Sequence, residues 1–329
     1  MSVRWLSSGD DGVGLAASAE VQPPRPADRL RRFLASHRTA TDAEVAQIAS
    51  LIFESMCTEA EQLADSPLSG PVVRRAVLSR TDLADAIGGM LSRNLLSEEE
   101  SALGEALTVR LREPGVLRGV VADLAKAVAV DPAVEGMLQP AFFFKGQRAV
   151  AAHRCAHSLW AEGGAAERCA ALYLQARISQ AYGVDVHPAA RLGVGLFVDH
   201  ATAIVIGATS IIGDDVQILH GVTLGATGRP MGDAARHPTI ERGATLGAGC
   251  TVLGPITVGR GANIGAQAVV TRDVPAGGTV VGVNRLTVRS PEHGACDFTW
   301  MYHRGGEDFY RQRAIRGGRS EAPPLGMGI

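Results

Sequence analysis

At 329 residues, with 46% hydrophobic and 20% charged side chains, the chain has room for about two domains and apolar mass enough for a core. A formal net charge of −2 removes the electrostatic case for nucleic acid or an anionic membrane as partner. No apolar run approaches the roughly 20 residues of a membrane span, and Cys57, Cys155, Cys169, Cys250 and Cys296 form no C-x-x-C pair, so reduced thiols in a cytoplasm are expected.

Residues 1–27 are rich in Gly, Ser and Pro, lack the apolar stretch of a signal peptide, and read as a mobile tail. A helical domain is expected over 28–183. Thr41 and Glu44 spell a capping box ahead of Val45, Ile48, Ile52 and Met56, which share one helical face. Leu83, Ile87, Met90 and Leu91 mark a second helix. Ser97 and Glu100 spell another capping box before Leu103, Leu107 and Leu111, and a further stripe follows Pro114 from Leu117 to Val128. Asp131-Pro132 reads as an N-cap with proline in the first turn. Helix is expected again from Ala141 to Tyr182, broken near Gly163-Gly164, and no strand signal precedes Val184.

From Val186 the period changes to six. Apolar anchors fall at Val186, Leu192 and Val198, at Ile206, Ile212, Ile218 and Leu224, and at Ile240, Leu246, Val252, Val258, Ile264 and Val270. The next residue is often Gly, and the fourth after the anchor is small or β-branched, as at Ala190, Thr202, Val222 and Cys250. Six suits neither a helix nor an alternating strand; it marks a hexapeptide parallel β-helix, placed at 184–290. The step widens to eight between Val198 and Ile206. It widens to sixteen between Leu224 and Ile240, read as two repeats plus four residues thrown out as a loop. Loops on a rigid scaffold are where function concentrates. Residues 291–329 are polar and Gly-rich and are expected to form a flexible tail.

The segments DPAVEGMLQPAFFFKGQRAVAAHRCAHSLW, VDVHPAARLGVGLFVDHATAIVIGA, ILHGVTLGATG and GDAARHP, in that order, resemble the serine acetyltransferases. The resemblance runs from about Asp131 to Val288. It implies an α-helical domain followed by a left-handed parallel β-helix, and transfer of acetyl from acetyl-CoA to the L-serine hydroxyl for cysteine synthesis. His200 is the first candidate for catalysis, since it follows Asp199 at a place where the array prefers glycine. An imidazole titrating near neutrality can take the hydroxyl proton as the thioester is attacked. Asp185, fifteen residues earlier and about one coil away by resemblance, is expected within reach of His200 to fix its tautomer.

The resemblance also implies that Arg236 grips the serine carboxylate and that Asp131 and Asp199 take its ammonium. His237 then serves the hydroxyl or developing oxyanion, in a pocket between neighbouring subunits. Acetyl-CoA is expected along the coil at Gly225, Ala226, Ala248 and Ala266, where missing bulk lets its pantetheine arm approach. No metal is expected: His187, His200, His220 and His237 lie 13, 20 and 17 residues apart, unlike zinc pairs, and His153 and His157 sit in a packed stripe. Further implied partners are L-cysteine as a feedback inhibitor and further copies of the chain as a trimer or dimer of trimers. O-acetylserine sulfhydrylase is implied as a partner held by the C-terminal Ile329. Departures from the family pattern are Ala226, Ala208, the inserted Ala234-Ala235, Asn284, and Met327 where an acidic residue is common. They leave two rival readings: an acetyltransferase for another hydroxyl acceptor, and a catalytically weak scaffold that binds the sulfhydrylase.

Overall fold

A computed structural model describes residues 26–228, 235–283 and 285–287. The helices are α1 (Pro26–Ser36), α2 (Asp42–Leu63), α3 (Gly70–Val73), α4 (Leu83–Leu95), α5 (Ser101–Leu111), α6 (Pro114–Val130), α7 (Lys145–Glu162) and α8 (Ala165–Tyr182). The Thr41–Glu44 capping box opens α2, and the Ser97–Glu100 box opens a 3₁₀ turn that runs into α5. Val45, Ile48, Ile52 and Met56 are buried, as are Leu83, Ile87, Met90 and Leu91, so both stripes face the core. α7 ends at Gly163 and α8 at Gly183, each in the left-handed conformation that glycine adopts without penalty. Asp131 departs from expectation. It ends α6 as its C-cap, and its Oδ1 accepts the Ala133 N–H at 2.8 Å within a turn, so no helix starts at Pro132.

The second part is a parallel β-solenoid with three faces. The first face stacks β1 (Val184–Val186), β4 (Ile204–Ile206), β7 (Thr223–Gly225), β10 (Thr251–Leu253) and β13 (Val269–Val270). The second stacks β2 (Arg191–Leu192), β5 (Ile211–Ile212), β8 (Thr239–Ile240) and β11 (Thr257–Val258). The third stacks β3 (Phe197–Asp199), β6 (Gln217–Leu219), β9 (Thr245–Leu246), β12 (Asn263–Ile264) and β14 (Thr279–Val281), and β15 (Arg285–Thr287) adds an antiparallel strand. Every hexad anchor is buried except Leu192, which is half-buried against the same core.

Both irregularities are absorbed at corners. In the corner from β3 to β4, Ala201 takes the buried small-residue slot and Thr202 is exposed, the reverse of the expected order. His200, Ala201 and Ala203 all adopt positive φ there, at 56°, 57° and 63°, the strained backbone that two extra residues demand. The wide step differs more. β7 lies on the first face and β8, the next strand, on the second, so the sixteen residues are one step plus ten that fall between Gly225 and Thr239.

The helical part is fastened to the first coil by a buried ion pair. Arg154 on α7 reaches Asp123 on α6 through Nε at 2.9 Å and Nη2 at 2.8–3.0 Å. The same Nη2 donates to Gly193 O at 2.7 Å, and Asp123 Oδ1 accepts the Leu196 N–H at 2.7 Å. α7 also rests directly on β3, since a Cβ at Gly146 would lie 2.1 Å from Val198 O. The strand that carries Asp199, and the corner with His200, are thus positioned by the helices.

Candidate active site

The candidate residues fall into two groups at two corners of the coil. The first group lies where the third face turns into the first. His200 projects there with its side chain 77% exposed, its Nε2 3.7 Å from Asp199 Oδ1 and its ring edge-on to His220 at 6.0 Å. Beneath it is a cavity of about 570 Å³ lined by Asp131, Phe143, Lys145, Phe197, Asp199 and His200. Lys145 Nζ bonds Thr202 Oγ1, tying α7 to the strained corner, and Gly221 N–H donates to Thr202 O at 2.8 Å. Higher along the same corner, Gly249 N–H donates to His220 O and Gln267 N–H to Ala248 O, both at 2.8 Å. Ala248 and Ala266 therefore continue the row that begins with His200.

The second group lies where the first face turns into the second. Asp185 sits on β1, and His187, Gly207, Arg236 and His237 gather at the corner beyond it. His187 Nδ1 accepts the Ala189 N–H at 3.0 Å, and its ring stands edge-on to Trp160 at 5.1 Å. Burial holds the His187 imidazole below its usual pKa and Arg236 adds to this, while Asp185 opposes it. His237 is buried, and its Nδ1 lies 3.2 Å from the Thr209 N–H and 2.8 Å from Thr209 Oγ1. Burial, then Arg236, then His187 lower its pKa, which keeps the ring neutral near pH 7. Its Nε2 lies over Gly207, where a Cβ would approach to 2.0 Å, so this corner accepts only glycine without a shift. Gly225 and Ala226 belong to this edge too, at the end of β7.

Asp185 and His200 are not paired within the chain. The first coil is lengthened to twenty residues, so the register sets Asp185 opposite Val205, and a residue fifteen on lies back at the preceding corner. The Asp185 carboxylate instead accepts Nε2–H of Gln175 at 2.6 Å, and among the described residues no hydrogen bond or ion pair joins it to His200. One face, roughly 15–20 Å at 3.2–3.4 Å per residue, separates the two corners. Their side chains project from different edges of a triangular coil.

Three participants lay outside the sequence reading: Lys145, Gln175 and Thr209. Each acts through a partner 10–57 residues away, and nothing in the local pattern separates Thr209 from other corner hydroxyls. Ala234 and Ile329 fall outside the described residues. Among the described residues there is no cluster of three His, Cys, Asp or Glu that holds a metal, and no helix is long and apolar enough to cross a membrane. Cys250 is buried in the coil, and burial pushes its thiol up to about 12.

Residues 52–152 match the family model for the serine acetyltransferase N-terminal domain, and residues 237–272 match that for the bacterial transferase hexapeptide, six repeats. The chain is 36% identical over 285 residues to serine acetyltransferase 2 of Arabidopsis thaliana, covering 84% of this chain and 86% of that protein. Among solved structures it resembles soybean serine acetyltransferase complexed with serine, at TM-score 0.69 and 38% identity over 73% of this chain and 99% of that one. It also resembles a serine acetyltransferase in complex with cysteine, at TM-score 0.68 and 37% identity over 72% and 98%. With relatedness at this level along most of both lengths, the chain belongs to the serine acetyltransferase family.

Proposed function

We propose that this protein transfers acetyl from acetyl-CoA to the hydroxyl of L-serine, in a site completed by two copies of the chain. The observation that carries this is the division of the candidate residues between two edges. Asp131, Asp199, His200, Ala248 and Ala266 occupy one; Asp185, Gly225, Ala226, Arg236 and His237 occupy the other. A free amino acid is no longer than about one residue of extended chain and cannot bridge corners that point apart. Packing one edge of a copy against the other edge of its neighbour closes the gap, and a heterologous contact of this kind generates a ring, here a trimer.

In the closed site the Arg236 guanidinium takes the serine carboxylate as a planar fork, and Asp131 and Asp199 take the ammonium. A His200 ring nitrogen removes the hydroxyl proton as the serine oxygen forms its bond to the thioester carbonyl carbon. Negative charge moves to the carbonyl oxygen, where His237, neutral and carrying its proton on Nε2, donates a hydrogen bond. Collapse of the tetrahedral species breaks the C–S bond. The sulfur leaves as thiolate and recovers the proton from the His200 imidazolium. Asp185, on the same edge as Arg236, comes from the neighbour and steadies that imidazolium. The small residues Gly225, Ala226, Ala248 and Ala266 leave room for the pantetheine arm. Cys155 and Cys250 are buried with thiols raised to about 12, so neither supplies an acyl-enzyme.

L-Cysteine shares the serine carboxylate and ammonium and therefore competes at the same clamp. Family resemblance supports O-acetylserine sulfhydrylase as a partner held by Ile329, so deleting that residue alone should abolish the complex and spare acetyl transfer. The cysteine spacing, with no C-x-x-C pair, supports a cytoplasmic location. The deciding experiment is release of CoA thiol from acetyl-CoA, compared across serine, homoserine and simple sugars. Serine should exceed the others. Preference for another acceptor, or no release with any, sinks the reading.

A further inference from the structure

Thr209, at the corner from β4 to β5, makes more contacts to the 226–237 loop than any role so far requires. Its Oγ1 accepts the backbone N–H of Arg236 at 3.0 Å and of His237 at 3.1 Å, and lies 2.8 Å from His237 Nδ1. A threonine hydroxyl has two lone pairs and one proton. With both lone pairs taken by N–H donors, the proton has one remaining acceptor, His237 Nδ1. The Thr209 backbone N–H points at the same nitrogen from 3.2 Å, and that donor cannot be reversed. Two donors on Nδ1 leave no place there for a proton. The neutral ring must carry its proton on Nε2, the atom over Gly207, for which no hydrogen bond is made among the described residues.

The geometry assigns Thr209 as the positioning residue that sets the His237 tautomer and anchors the returning end of the loop bearing Arg236. Resting on the proposed roles of Arg236 and His237, it adds the residue through which they are aimed. A single hydroxyl thus joins the carboxylate clamp to the oxyanion donor. Gly207 serves the same arrangement by leaving room for the ring.

Loss of the hydroxyl frees the ring to take its other tautomer and loosens both backbone anchors. Thr209→Val keeps the shape and removes the proton and both lone pairs, while Thr209→Ser keeps the hydroxyl. Misplacement of this order costs about tenfold to a hundredfold in rate. We expect Thr209→Val to lower kcat/KM for serine by about that factor, with KM for serine raised and KM for acetyl-CoA little changed. Thr209→Ser should recover most of it with melting close to wild type, while Thr209→Val should melt about a few °C lower and stay fully folded under assay conditions. In a His237→Asn background, Thr209→Val should cost much less than it does alone, because residues that act through one another are not additive. Wild-type kinetics for Thr209→Val, failure of Thr209→Ser to recover activity, or an undiminished loss in the His237→Asn background would each overturn the assignment. Wild-type kinetics for His237→Asn alone would instead remove the reading of the site on which it rests.

Discussion

Replacing Arg154 by methionine is the sharpest test of how the helices position the coil. The side chains of Arg154 and Asp123 are 8% and 4% exposed, so removing the guanidinium strands a carboxylate that water barely reaches. Gly193 O loses its donor as well. Breaking a buried pair by removing one partner costs about 3–5 kcal/mol, chiefly because the surviving charge is uncompensated. For cooperative units of 150–250 residues each kcal/mol is worth about 2–4 °C, so the melting temperature should fall by about 6–20 °C. If the orphaned charge dominates, adding Asp123→Asn should raise the melting temperature of Arg154→Met, because the amide carries no charge yet still offers an acceptor to the Leu196 N–H. Calorimetry on the wild type and the two variants reads both effects. A drop under about 2 °C, or a double variant less stable than Arg154→Met, would refute the reasoning.

His200→Ala should lower kcat by about 10²–10⁴ with melting unchanged, since the exposed ring contributes nothing to the core; steady-state kinetics check it. Gly207→Ala should damage serine use rather than acetyl-CoA use, because the new methyl meets the His237 ring; equal KM for serine in the two proteins would contradict this. Burial, reinforced by His157 and Arg154, holds His153 at about 3 in the folded protein, against about 6.5 when unfolded. Between those values the unfolded chain binds the extra proton. Stability should therefore fall as pH drops below about 6.5, by up to about 1.4 kcal/mol per unit or about 2 kcal/mol at pH 5. His153→Gln should flatten that limb in urea titrations, and an unchanged slope would argue against it.

The solenoid was legible because its rule is local. Within each run, Val186 to Val198, Ile206 to Leu224 and Ile240 to Val270, the anchors repeat at six residues whatever the rest of the chain does, and their burial follows from that period. The capping boxes at Thr41 and Ser97 are local too. What the period cannot encode is where surplus residues go. Fifteen residues fall short even of a regular coil, in which Thr251 stacks on Val269, and two extra residues before Ile206 lengthen the first coil further, so Asp185 stacks on Val205 and not on His200. The sixteen-residue step reads equally as two repeats and four residues or as one repeat and ten, and only the strand order shows that no face is skipped. α1 has no separate signal in the sequence although Leu30 and Phe33 bury one face of it, because it opens on the last proline of PPRP. Asp131-Pro132 carries the signature of a helix start, but α6 ends there and the aspartate bonds back into a turn. Thr209 had no signature, since its meaning comes from a loop that returns 27 residues later.

The proposed catalytic site takes its residues from two copies of the chain. Mixing two inactive variants tests it directly. His200→Ala disables one edge and Arg236→Ala the other, so neither homo-oligomer holds an intact site. When the two are co-expressed in equal amounts and purified together, an intact site forms wherever the His200 edge of one copy meets the Arg236 edge of the other. With random assembly about one contact in four meets that condition, and thiol release with serine should return to about a quarter of the wild-type rate. A mixed assembly no more active than its two parents would place the whole site within a single chain and contradict the account.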